Sequence, residues 1–180
     1  MTEEIIEPGT RKQIYSESID LKNNELWNFK RYYLASTGFK WISNIAEWTT
    51  VIFGGVMTYG LTKGQFGPNL LASLSIGLFV VSLGTAIGRP RSKSKSYYNS
   101  GQKHQDLFDK VDSFIELDVK REEADIPELR DQLERLEKKR RQLNRDTPQL
   151  NGIWYYYLSW RKDKMFEQAS TTEKEEKYLS

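Results

Sequence analysis

The sequence predicts an all-α protein: a transmembrane helical hairpin, with an amphipathic helix before it and cytoplasmic antiparallel helices after it. Three observations carry that expectation. No residue between Lys63 and Arg89 is charged. Two apolar segments of similar length, residues 41–61 and 70–87, flank a stretch rich in turn formers, TKGQFGPN. Outside them, leucines and aromatics recur at helical spacing among charged residues. A mean hydropathy of −0.68 conceals the pattern, because the polar ends outweigh the apolar middle.

A chain of 180 residues is one domain's worth, or a small domain with a membrane anchor. Its net charge of +2 is too small to draw a nucleic-acid partner by bulk electrostatics. The absence of cysteine excludes disulfides, thiolate metal sites and cysteine nucleophiles. The acidic start, MTEEIIEPGT, has no basic stretch leading into an apolar run, so no secretory signal is expected.

Residues 1–40 are expected to hold a cytoplasmic amphipathic helix, with Leu26, Phe29 and Tyr33 on one face. The hairpin follows over residues 41–88. In its first segment Asn44, Glu47, Val51, Gly54, Gly55 and Thr58 share a face at 3.6-residue spacing. A carboxylate inside a bilayer is costly and normally meets protein or water. Glu47 lies only about 9 Å along the helix from Trp41, so two readings stand: a glutamate at headgroup depth with no task, or part of a water-lined passage between assembled hairpins. Gly64, Gly67 and Pro68 supply the turn. The second segment needs about 20 apolar residues to span the hydrocarbon and comes close. Its Ser73, Gly77, Gly84 and Gly88 form a small-residue stripe suited to close helix approach, within one hairpin or between copies.

The flanks favour a membrane over a buried helix pair in a soluble domain. Lys30, Arg31 and Lys40 precede the hairpin, and Arg89, Arg91, Lys93 and Lys95 follow it, while the turn carries only Lys63. Basic residues concentrate on the cytoplasmic side, which places both termini there. Tyr32, Tyr33, Phe39, Trp41, Tyr97 and Tyr98 collect at the same boundary, as amphipathic rings do.

Residues 89–165 are expected to be cytoplasmic helices. Leu107, Val111, Phe114 and Ile115 share one face. Asp125 can cap the next helix with Glu128 three residues on, and Pro127 fits its first turn. That helix sets Leu129, Leu133, Leu136 and Leu143 in heptad positions, with Arg140 in the slot between the last two. The seam is too short for a free coiled coil and suits the preceding helix as antiparallel partner. Thr147-Pro148 ends it. A short aromatic helix follows, in which Trp154, Tyr155, Tyr156, Tyr157 and Trp160 are expected to pack into the core. The alternative is a belt on the inner leaflet with Arg161, Lys162 and Lys164 at headgroup level. The run Lys138 to Arg141 reads as a solvated helix face, and residues 166–180 as a frayed tail.

Motifs of nucleotide, hydrolase, zinc-protease and calcium sites are missing from the sequence. His104, the single histidine, is expected at a surface or helix start. No enzyme activity, cofactor or metal is expected.

The order of an amphipathic lead-in, two membrane helices, a basic exit, YYNSGQKHQDLFDKVDSFIELD and a leucine-rich helix resembles the SLATT family. The likeness covers residues 26–160. Its nearest approach to a motif is the Leu-x-x-Leu-x-x-x-Arg-x-x-Leu helix followed by Thr147-Pro148 and aromatics; the aromatics after Asn151 are denser than that layout. These are bacterial two-transmembrane proteins associated with nucleotide-second-messenger and related antiphage systems. The resemblance implies an effector of the inner membrane that oligomerises, forms a pore and arrests the infected cell under a separately encoded sensor or nucleotide-signalling protein. It implies membrane lipids and further copies as partners, and brings no catalytic residues. The alternative expectation is a membrane-anchored helical scaffold that recruits a soluble partner.

Overall fold

The computed structural model describes residues 8–121 and 123–160. Among them every regular element is helical: α1 (Pro8–Lys63), α2 (Pro68–Gly88), α3 (Pro90–Phe114) running into a π turn (Ile115–Val119), α4 (Ile126–Asp146) and α5 (Ile153–Trp160). The acidic start, the expected tail over residues 166–180 and Arg161, Lys162 and Lys164 lie outside the described residues.

Glycine and proline punctuate the chain. Gly64 turns at φ 61°, Gly67 caps α2 in an extended conformation, and Pro68 opens the helix. The Phe66 ring covers Gly60 so closely that a Cβ there would collide with it. Arg89 closes α2 in the left-handed region at φ 44°, its N–H bonded to Thr85 O at 2.9 Å, and Pro90 opens α3. An L-residue held there costs on the order of 1 kcal/mol, so the break after the apolar helix is imposed by its surroundings. No comparable break occurs near residue 40. No proline lies between residues 10 and 62, and Gly38 is the one glycine near residue 40, so one helix runs where a border between an N-terminal helix and a hairpin was expected.

The chain divides into two compact units. One, the core unit, comprises the described parts of Met1–Leu34 and Tyr98–Ser180; the other, the apolar unit, is Ala35–Tyr97. The core unit therefore unites the expected N-terminal helix with the helices of the C-terminal half.

In the core unit, Ile14, Tyr15 and Leu21 of α1 meet Leu107 and Val111 of α3, Ile115 and Val119 of the π turn, and Leu129, Leu133 and Leu143 of α4. The leucine seam thus has two helices to fill, not one. A smaller cluster joins Leu26 and Phe29 to Leu158, with Tyr33 and Phe108 against it. The π turn widens α3, with Lys120 N–H reaching Ile115 O at 3.2 Å, and keeps both Ile115 and Val119 fully buried. Arg11 then gathers the carbonyls freed beyond it. Its guanidinium donates to Val119 O at 3.3 Å, to Ala124 O at 2.6 Å and to Arg121 O. Asp125 does occupy the cap of α4, but its side chain makes no capping hydrogen bond; its carbonyl accepts the Leu129 N–H at 3.0 Å.

Gly101 of α3 lets the backbone pass Tyr33: an added Cβ would sit 2.9 Å from that ring. The ring is tied down, because its hydroxyl donates to Gln105 Oε1 at 2.6 Å and Phe29 packs edge-on at 6.1 Å. Gly101→Ala is expected to lower stability by about 1–3 kcal/mol through overpacking, measured as a fall in the melting temperature of the purified protein. An unchanged melting temperature would show that the contact is not tight.

Candidate functional site

In the apolar unit, α2 has no buried residue. It is the one described helix long and apolar enough to cross a membrane, with a hydropathy of 2.2 over its best 18-residue window. At 1.5 Å per residue its length is about 30 Å, the thickness of a hydrocarbon core. Three of its four hydroxyls are satisfied inside the helix: Ser73 donates to Asn69 O, Ser75 to Leu71 O and Thr85 to Ser82 O, all within 2.9 Å. The second half of α1 also turns large apolar side chains outward, including Trp48 at 68% and Val51 at 65% exposure.

The face expected to line a passage is exposed at Asn44, Glu47, Val51, Gly55 and Thr58 and half-buried at Gly54. Thr58 spends its hydroxyl on Gly54 O at 2.9 Å. Glu47 is engaged at one end of the unit. Ser43 Oγ donates to it at 3.1 Å, and Arg91 stands 3.6 Å away. A cavity of 680 Å³ brings Glu47 together with Arg89, Arg91 and Lys95. Lys93 lies instead 5.6 Å over the Phe39 ring. Glu47 therefore sits level with the basic stretch that closes the apolar span, not in its middle. Ser94 Oγ donates to Ser36 O at 2.9 Å and Phe39 packs against Tyr97 at 5.5 Å, which joins α1 and α3 at this end.

Among the described residues the small-residue stripe packs against no other helix. A Cβ at Gly77 or Gly84 would have no atom within 4 Å, and Gly88 only Pro90 at 4.0 Å; Ser73 is exposed. Close packing inside the hairpin, one of the two expected uses of the stripe, does not occur among the described residues.

The expected core packing of the last aromatic segment fails for most of it. An eight-residue helix buries one stripe, and Leu158 with half-buried Trp154, four residues apart, takes it. Tyr156 and Trp160 are left 74% and 80% exposed. In the basic run, Lys138, Lys139 and Arg141 are exposed as expected, and Arg141 pairs with Glu137 at 3.1 Å. The Lys110 ammonium beside Lys139 holds its pKa below the usual lysine value. Burial, then Tyr98 and two aspartates, push the Tyr33 phenol up.

The core unit holds two polar features that the sequence did not announce. His104 is buried, contrary to the expected surface position, because its Nδ1 lies 2.6 Å from Oε2 of Glu25, itself fully buried. Tyr32 stacks on the imidazole at 5.1 Å, and its hydroxyl donates to Thr147 Oγ1 or Pro148 O, each at 3.0 Å. His104 Nε2 is enclosed without a hydrogen-bond partner. No group of three or more potential metal ligands occurs among the described residues.

The second feature is a 480 Å³ cavity between α1, α4 and α5. Arg31 and Arg140 line it, each with a buried Nε–H that has no partner. Asn28 bridges this cavity to the buried pair: its Nδ2 donates to Glu25 Oε1 at 3.3 Å and its Oδ1 accepts from Arg31 at 2.9 Å. Arg140 is the charged position of the leucine seam, half-buried here with its head in the cavity.

Comparison of the chain with protein-family models, curated proteins and solved structures finds no match.

Removing one partner of a buried hydrogen-bonded pair leaves the other unsatisfied and costs about 1–3 kcal/mol, whereas replacing both with apolar groups of similar shape costs little. Glu25→Leu alone is therefore expected to lower the melting temperature sharply, and Glu25→Leu with His104→Phe, which keeps the ring on Tyr32, to recover most of it. Additive losses in the double variant would show that the two side chains do not act as a pair.

Proposed function

We propose that this chain is an inner-membrane effector of bacterial antiphage defence, which oligomerises and permeabilises the membrane when a partner sensor triggers it. The observation that carries this reading is α2, apolar on all sides with none of its residues buried. Such a surface needs lipid or another apolar surface around it. Gly77 and Gly84 face open space, which favours contact with a helix of a second copy. Residues 41–61 form the companion span of the hairpin, and the basic residues at Arg89, Arg91, Lys93 and Lys95 hold both termini in the cytoplasm.

One hairpin has too few helices to enclose a passage, so copies must associate. Asn44 and Glu47 then form a polar inner mouth, with Glu47 partly neutralised by Arg91. The outward rings of Tyr156 and Trp160 suit the inner-leaflet boundary. The likeness to the SLATT layout supports the trigger and the defence role. A triggering partner shifts a closed assembly toward an open one only as far as its affinity differs between the two.

The test is induced expression with a potential-sensitive dye, alongside fractionation. The protein is expected in the membrane fraction with rapid depolarisation. Gly84→Leu, at a close helix contact, is expected to reduce depolarisation about tenfold, the equivalent of ~1.4 kcal/mol of association. Protein in the membrane without depolarisation would contradict permeabilisation and leave an anchored scaffold; in that case an unrelated two-helix anchor would support full activity. Protein in the supernatant would contradict the membrane assignment itself.

A further inference from the structure

The seam of α4 carries the anomaly that leads to a second site. Leu129, Leu133 and Leu143 are buried, Leu136 is packed against the same core, and the remaining seam position is Arg140. A leucine there would complete an apolar seam. The arginine instead lines the 480 Å³ cavity, which Arg31 of α1 lines as well. Both arginines line this half-open space, and neither forms an ion pair among the described residues. Each retains a buried N–H donor without an acceptor. Glu25, the buried carboxylate linked to this cavity through Asn28, is committed to His104. Like charges held together in a partly desolvated space call for an anion between them.

The rest of the lining narrows the chemistry. Asn24 and Asn144 present amide groups that no described residue engages, and Trp27 and Tyr155, 5.9 Å apart, form an aromatic wall. The volume lies within the range of small-molecule sites. A guanidinium pair matches the oxygens of a phosphate bidentately, and the amides offer donors and acceptors to a polar group joined to it. We infer that the cavity lined by Arg31 and Arg140 binds a phosphate monoester, with the phosphate between the two guanidiniums. The phosphate can belong to a soluble metabolite or to a lipid headgroup. The site lies wholly in the core unit and does not depend on the proposed permeabilising activity.

The test uses the full chain. In detergent micelles it is titrated calorimetrically with inorganic phosphate and with adenosine monophosphate. In nanodiscs its melting temperature is compared with and without phosphatidic acid. Arg140→Leu is the decisive variant, because leucine belongs in the seam and the helices are expected to keep their circular-dichroism signal and melting temperature. Arg31→Gln and Arg140→Lys serve as second variants. Loss of charge at either arginine is expected to weaken binding about tenfold or more, and Arg140→Lys to keep part of it. Binding of the soluble probes that the variants lose supports a soluble ester. A melting shift by phosphatidic acid alone, absent in Arg140→Leu, supports a lipid headgroup. No response to any probe, or equal responses in wild type and Arg140→Leu, overturns the assignment.

Discussion

Large apolar side chains on α2 and on residues 41–61 of α1 are left exposed among the described residues, and that constraint shapes the apolar unit. Fully burying one such side chain is worth about 1.5–3 kcal/mol, so leaving a whole helix of them in water would exceed the stability of a typical domain. Lipid, the proposed surroundings, would remove the penalty and impose its own rule: no polar group may go unsatisfied. The hydroxyls of Ser73, Ser75, Thr50 and Thr58 comply by bonding carbonyls of their own helix. Apart from Lys63 at the turn, charge is kept to one end, where Glu47 and Arg91 offset each other and Arg89 and Lys95 stand nearby.

The core unit solves a different problem. Its helices bury leucine, isoleucine and aromatic side chains in the ordinary way, but they also bury a glutamate and a histidine that touch only because α1 and α3 meet. The two side chains satisfy each other only where α1 and α3 meet in this register. Asn28 ties it to Arg31, and across the cavity Arg140 interrupts a seam that a leucine would have completed. An apolar choice at that position was open to the helix, and the arginine is the residue on which the proposed phosphate site turns.

Much of this could be read from the chain because period and punctuation act locally. The Gly64–Pro68 turn, the buried faces of Leu26 with Phe29 and of Leu107 with Val111, and the Leu129–Leu133–Leu143 seam all follow from spacing. The stop at Thr147 was equally legible, since Pro148 cannot continue a helix and Thr147 bonds Leu143 O. What escaped was long-range. Glu25 and His104 are 79 residues apart, so the histidine looked solitary on a charged helix. Arg11 is 113 residues from the Ala124 carbonyl it holds, and nothing in the local pattern of IELDV signals a π turn. The aromatic segment departs from the expected core packing for a geometric reason: its composition suits a core, but a helix of two turns has one inward stripe. Within the site, Arg140 was visible as a charged seam position, but only α1 could show that Arg31 shares its cavity.

The claim on which the account rests is that lipid is the solvent around α2. The chain has no cysteine, so a single one can be introduced without background. Val80, 61% exposed near the middle of that helix, is the position to choose. A nitroxide attached at Val80→Cys in reconstituted bilayers should relax strongly with molecular oxygen and hardly at all with a water-soluble nickel chelate. Ready relaxation by the nickel chelate would place that side chain in water and contradict the account.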